Sequence, residues 1–363
     1  MTDRAHVRDD EGTPTMAYGL SVLDLVAVGE GHTPREALRT SALLARLAEA
    51  RGFRRYWVAE HHSMPGIASS SPAVILAYLA AQTDRIRLGS GGVMLPNHAP
   101  LVVAEQFHTL EAMAPGRVDL GLGRAPGTDQ VTARALRRTD GPATGDSFPA
   151  DVAELMAFLD DDFPEGHPYR RRVHAVPGPV QGDSVGRPAV WLLGSSGFSA
   201  RLAGLLGLPF AFAHHFAARN TLPALELYRQ SFRPSPALAE PYTVVGVFAF
   251  AAETEEQARD QARTGALTTV RFRSGRPGLV PTPAEARSHV FTAYEQEILA
   301  GWLENAVHGT PDSVRDQLDT LAKYTDADEL MLASNAHGLE ERLMSLSLIA
   351  DSYGLPHSGP WPA

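Results

Sequence analysis

The chain has 363 residues, 44% of them hydrophobic and 20% charged, an ordinary globular composition for one large domain or two small ones. It holds no cysteine, which excludes disulfides, zinc–thiolate sites, iron–sulfur clusters and a thiol nucleophile. The net charge is −10 with both signs interspersed, which argues against nucleic acid as the main partner, because neutralising phosphates needs a concentrated basic face.

The first 15 residues, MTDRAHVRDDEGTPT, are polar, lack an apolar signal core and read as a disordered tail. The longest nearly apolar run, 242–252, falls well short of the roughly 18 residues that span a bilayer. A soluble, cytoplasmic protein without membrane or nucleic-acid partners is therefore expected.

Beyond the tail, short apolar stretches alternate with amphipathic helical ones. Strands are predicted over 17–25, 55–60, 86–95, 118–123, 189–194, 210–214, 243–251 and 329–334. Several are rich in Val and Leu without clean alternation, as in parallel strands covered by helices. Ser71-Pro72 and Thr310-Pro311 carry helix-start signals, and Gly52 stands as a stop after LLARLAEAR. Eight strand–helix units predict a (β/α)8 TIM barrel, an α/β fold, as one domain over 16–355 with tails at 1–15 and 356–363. The excess length falls into insertions after strands four and seven, 125–188 and roughly 271–309, the second opening on the mobile-looking RSGRPGLVPTP. A doubly wound open sheet is the rival fold.

In such a barrel, function sits at the C-terminal strand ends. Strand two delivers Glu60, His61 and His62. Adjacent strand residues point to opposite faces, so the His pair is poorly placed to share one metal, and the H-E-x-x-H spacing is absent. Polar residues satisfying one another at a barrel rim remain the plain alternative. Strand five runs into Gly194-Ser195-Ser196 and then a helix, which reads either as ordinary capping or as an anion site. G-x-S-x-G would need glycine where Phe198 stands, so this is no hydrolase elbow. In GLGRAPG, Gly121, Gly123 and Gly127 do not fit the dinucleotide fingerprint. Arg124 there suits phosphate recognition or a surface ion pair. Gly89, Gly91 and Gly92 in strand three suggest close approach of a backbone or a flat ligand. A phosphate site beside a glycine floor suggests a mononucleotide such as FMN.

In this order, YWVAEHH, LGSGGVMLPNHAPLVVAEQFHTLEAMAPGRVDLGLGRAPG, VWLLGSSGFSARLAGLLGLPFAFAHHF and HGTPDSVRDQLDTL resemble the bacterial luciferase-like flavin monooxygenases over nearly the whole chain after the tail. The resemblance implies a luciferase-like barrel and a homodimer. It implies that reduced FMN from a separate flavin reductase meets dioxygen and oxygenates a small organic substrate through a flavin hydroperoxide. His61 would serve the oxygenation chemistry, Glu60 would sit near the ring and His62 behind as support. Gly91 and Gly92 match two small residues under the isoalloxazine, often joined by a cis peptide. Arg124 matches the phosphate arginine, Gly194, Ser195 and Ser196 match the phosphate turn, and residues near 271–300 match a mobile loop. Gly-Ser-Ser replaces the acidic residue that luciferases carry before the serine, and light emission from a long-chain aldehyde is not implied. The alternatives are a deazaflavin-dependent reductase on the same fold and a non-catalytic flavin-binding protein.

Overall fold

The computed structural model describes residues 18–137, 147–182 and 186–356. Most of both expected tails lies outside the described residues. The strands are β1 (Gly19–Asp24), β2 (Arg55–Val58), β3 (Arg87–Met94), β4 (Val118–Gly123), β5 (Ala189–Gly194), β6 (Phe210–Phe212), β7 (Thr243–Ala251), β8 (Val307–Gly309) and β9 (Glu329–Ala333). Seven run in chain order from β1 to β7, and β9 pairs with both β7 and β1, which closes a parallel eight-stranded barrel. Each predicted strand lands on a barrel strand. The ninth, β8, falls inside the second insertion and pairs only with the end of β7, Ala249 opposite Val307. At three residues it carries too little periodic signal to be read from sequence.

Helices α1 (Pro34–Ala50), α2 (Pro72–Ala80) and α3 (Pro100–Met113) follow the first three strands. The first insertion holds α4 (Gln130–Arg137) and α5 (Phe148–Asp160); α6 (Gly197–Leu206) follows β5, and α7 (His214–Ala217) and α8 (Thr221–Ser231) follow β6. The second holds α10 (Pro283–Ser288) and α11 (Ala293–Asn305) after α9 (Glu255–Arg273), and α12 (Pro311–Thr325) and α13 (Leu339–Ser352) complete the ring. Gly52 takes φ +74° just past α1, a conformation that favours glycine. Ser71 and Thr310 occupy N-cap positions before Pro72 and Pro311, but neither side chain makes the cap hydrogen bond.

The expected mobile loop is largely helical. Its linker is bridged to the β1–α1 connection, where Val280 N–H donates to Val28 O and Glu30 N–H to Val280 O, both at 2.9 Å. Arg271 pairs with Glu285 and lies 3.6 Å from Glu30.

The interior of the barrel is stratified. At the N-terminal strand ends the Arg55 guanidinium joins Asp119 and Glu329, each at 2.8 Å, and Arg87 reaches Asp119 at 2.6 Å. Trp57 Nε1 donates to the same Asp119 at 3.0 Å, and Tyr242 OH donates to Glu329 at 3.0 Å. Two cations meet two carboxylates, so the buried layer is neutral. Removing one partner would strand a buried charge, a cost of about 3–5 kcal/mol. Above it Trp57 and Trp191 pack edge to face at 5.2 Å. That apolar layer is the floor of a cavity opening at the other end.

Candidate active site

A cavity of about 280 Å³ fills the C-terminal half of the barrel interior. Leu23, Trp57, Val244 and Met331 form much of its apolar lining, and the strand ends supply the polar rim.

His61, Gly91, Gly92, Arg124, Gly194, Ser195 and Ser196 all line this cavity, whereas Glu60 and His62 do not. The split at 60–62 follows from the backbone just past β2. His61 N–H donates to Ser69 O at 2.9 Å and His62 N–H to Gly127 O at 3.4 Å, which turns successive side chains to opposite sides. Glu60 is fully buried beneath the rim. Its Oε1 accepts from His62 and from His98, each at 2.8 Å, and its Oε2 accepts from the Met94 N–H at 3.0 Å. Burial pushes its pKa up, but the bonds from His98, His62 and Met94 outweigh it and hold the carboxyl below its usual range. Glu60 therefore ties the end of β2 to the end of β3 and the β3–α3 turn through Met94 and His98, with His62 sharing the same oxygen as His98. It does not fix the tautomer of His61.

His61 Nδ1 is buried with no hydrogen-bond partner among the described residues. Burial, only partly opposed by Glu60, pushes its pKa down to about 4. The ring is thus neutral at pH 7, available as a proton acceptor or a neutral hydrogen-bonding group. A near-neutral pKa that would let it act either way is not what this environment gives.

The barrel itself crowds the two glycines of β3 that line the cavity, and at Gly92 it requires glycine. A Cβ at Gly91 would lie 2.6 Å from Leu23 Cδ1, and one at Gly92 would lie 2.7 Å from the Gly121 carbonyl oxygen. The Gly91–Gly92 peptide is cis, and the β3–β4 register shifts beside it.

At the mouth, Arg124 leaves the end of β4 with its guanidinium 4.4 Å above the Phe198 ring on α6. It forms no ion pair or hydrogen bond among the described residues. Ser196 is the N-cap of α6 with extended backbone, yet its hydroxyl caps nothing, and Ser195 and Ser199 face the same space. The first turn of a helix offers free N–H groups and positive potential. One cation, three hydroxyls and a helix N-terminus converge there without a partner of their own, which fits a phosphate.

Two participants were not given their roles from sequence. His98 stood in the quoted MLPNHAP, but nothing local marked it as a partner of Glu60. His215, in FAHHF, lines the cavity across from His61. Its signal was position alone: it falls just past the C-terminal end of β6.

A model of the luciferase-like monooxygenase family matches residues 18–328. The chain belongs to that family. It is a luciferase-like monooxygenase, a flavin-dependent oxidoreductase. It is 46% identical over 339 residues to the luciferase-like monooxygenase of Escherichia coli K12, covering 93% of this chain and 97% of that protein. It is 35% identical over 336 residues to the N-acetyl-S-alkylcysteine monooxygenase of Bacillus subtilis 168, covering 92% and 97%. The crystal structure of apo-MsnO8 superposes with a TM-score of 0.81 at 36% identity, over 94% of this chain and 99% of that one. The same fold at 18% identity and TM-score 0.66 carries FMN in the oxygenating component of 3,6-diketocamphane monooxygenase, over 93% of this chain and 97% of that one. At 15% and 0.62 it carries an F420–acetone adduct in a secondary alcohol dehydrogenase, over 93% and 99%.

Proposed function

We propose that this luciferase-like monooxygenase binds FMN, takes it up reduced from a separate flavin reductase, and uses dioxygen to oxygenate a small organic substrate. The observation that carries the reading is the unpartnered polar cluster at one end of an apolar cavity: Arg124, Ser195, Ser196 and the N-terminus of α6. Arg124 and the serine turn would hold the phosphate, and Gly91 and Gly92 would face the ring. Reduced FMN, when bound, supplies the electrons that activate dioxygen. The chain's own side chains do the rest. Leu23, Leu25, Trp57 and Met331 keep the chamber dry, and His61 accepts or relays a proton. Glu60, His62 and His98 hold the backbone that carries His61.

The fold accommodates F420 as well as FMN, so the cofactor has to be read from this protein. The absorbance spectrum of cofactor retained from the native host, followed by titration of the stripped protein with FMN and with F420, decides it. Tighter F420 binding would replace the oxygenase reading with hydride transfer. Bound, reduced FMN that consumes no dioxygen faster than free flavin would leave a non-catalytic flavin binder.

The exposed apolar side chains Val74 and Tyr78 on α2 and Val102 and Met113 on α3 support a homodimer. Light scattering on the eluted protein would return twice the 39.0 kDa chain mass, and the chain mass alone would reject it.

A further inference from the structure

His215 is the second imidazole of the cavity, and its neighbours fix its chemistry. Its Nδ1 lies 2.8 Å from the Gly246 carbonyl oxygen, which can only accept, so Nδ1 carries the proton. A neutral imidazole protonated there keeps its lone pair on Nε2. That nitrogen has no hydrogen-bond partner among the described residues. The ring is held in place by Phe216, 4.1 Å away between centroids, and Phe248, at 5.1 Å. β7 leaves room for it only because residue 246 is glycine: a Cβ there would lie 2.9 Å from His215 Cε1 and 3.0 Å from Nδ1. Burial, against the pull of the Gly246 carbonyl and with His214 and His61 close by, pushes its pKa down to about 4. At neutral pH Nε2 is therefore an acceptor, not a donor.

What an acceptor in an apolar chamber selects follows from desolvation. A ligand that places an O–H or N–H against Nε2 replaces the water lost there. A methylated analogue leaves the nitrogen bare, and a carboxylate sets lone pair against lone pair. Among the described residues of the lining Arg124 alone is formally charged at neutral pH, and it stands at the mouth beside the serine turn. The volume of about 280 Å³ has to hold the flavin ring as well, so the partner is small.

We propose that His215 is a substrate-orienting residue whose Nε2 accepts a hydrogen bond from an O–H or N–H group of a small, uncharged substrate. This deepens the monooxygenase reading and rests on it for calling the ligand a substrate; the binding preference is a property of the chain alone.

The test uses phenol, anisole and benzoate as probes of the full chain labelled with ¹⁵N-histidine, first without FMN and then with it. In the free protein the His215 Nδ1 resonance should be that of a protonated nitrogen and Nε2 that of an unprotonated one. Phenol should move Nε2 upfield and anisole should not. Phenol should bind roughly 3- to 10-fold more tightly than anisole, the range one net hydrogen bond gives. His215→Phe should keep the anisole affinity and lose the preference, while His215→Gln, which retains an acceptor oxygen, should keep part of it; thermal melts check that both fold. An unprotonated Nδ1 in the free protein, no phenol binding, equal affinity for phenol and anisole, or a preference that survives His215→Phe would each overturn the proposal. So would tighter binding of benzoate than phenol to the FMN-loaded chain. A failure to bind FMN counts against the cofactor reading alone, because the preference is first measured without it.

Discussion

Removing the Arg124 guanidinium tests the phosphate cradle with little collateral damage. The side chain is exposed, its one described contact is the Phe198 face at 4.4 Å, and no carboxylate is left stranded when it goes. Loss of that cation–π contact from Arg124→Ala should change folding stability by no more than about 1 kcal/mol. Binding is where the loss should appear. A hydrogen bond to a charged group contributes about 1.5–3 kcal/mol, and solvent screening at an exposed position puts Arg124 in the lower half of that range. FMN affinity should fall roughly 10- to 50-fold. Riboflavin, which lacks the phosphate, should bind parent and variant alike. The assay is quenching of flavin fluorescence at low and high salt. The parent's preference for FMN over riboflavin should shrink as salt rises, and the variant's smaller preference should depend on salt less. Ser195→Ala and Ser196→Ala, in the same titration, should lose less, because a hydroxyl offers the phosphate a single hydrogen bond and no charge of its own; the larger loss marks the hydroxyl that holds phosphate. Equal FMN affinity in parent and Arg124→Ala would refute the cradle.

Replacing the cavity imidazole, His61→Gln, should leave the melting temperature and FMN affinity nearly unchanged and cut coupled product formation by roughly 10²–10⁴-fold, whereas His62→Gln should act mainly through stability by loosening Glu60. Normal turnover in His61→Gln with a dead, well-folded His62→Gln would assign the wrong imidazole. Acid stability carries a sign: His61 and His215, held at about 4 against an ordinary 6.5, take up protons first in the unfolded chain, so stability falls as pH drops through that window, by at most about 3 kcal/mol per ring. Glu60, held below its usual range, loses its contribution at lower pH still, and a melting temperature that stays constant from pH 7 to pH 4.5 would contradict both depressed imidazoles.

The barrel was legible because several strands are covered on both faces and read as nearly continuous apolar runs; β7, buried along all nine residues, is the clearest case. Two kinds of feature were not legible. One is pairing at a distance: Glu60 and His98 are 38 residues apart, and the choice of Glu60 for His98 and His62 over His61 depends on how the strand end turns. The other is competition for space inside the barrel. From sequence, Gly91 and Gly92 could answer either to an approaching backbone or to a flat ligand. The Gly121 carbonyl presses on Gly92 closely enough to demand glycine without any ligand, and Leu23 and Trp57 crowd Gly91. The depressed pKa of His61 belongs to the same class, since residue type names the imidazole but only enclosure sets its charge.

The two ends of the barrel interior differ in a way that locates the chemistry. At the base every charge meets its opposite: Arg55 and Arg87 against Asp119 and Glu329, with Trp57 and Tyr242 donating to the remaining oxygens. Nothing there asks for a ligand. At the mouth the reverse holds. Among the described residues His61 Nδ1 is buried without a partner, the Ser196 hydroxyl caps nothing, and Arg124 has no counterion. An unmet buried polar group such as His61 Nδ1 costs about 1–3 kcal/mol and persists only where something else compensates it, while the half-buried Ser196 hydroxyl and the exposed Arg124 guanidinium stay free to bind. Stability alone would not keep them, because an apolar residue at His61 or a capping contact at Ser196 would relieve the deficit without disturbing the base. The surplus of polar groups at one end of an otherwise apolar chamber is thus itself the argument for a bound partner, and its arrangement, a cation and hydroxyls at the rim with neutral imidazoles deeper in, calls for a ligand that is anionic at one end and uncharged at the other.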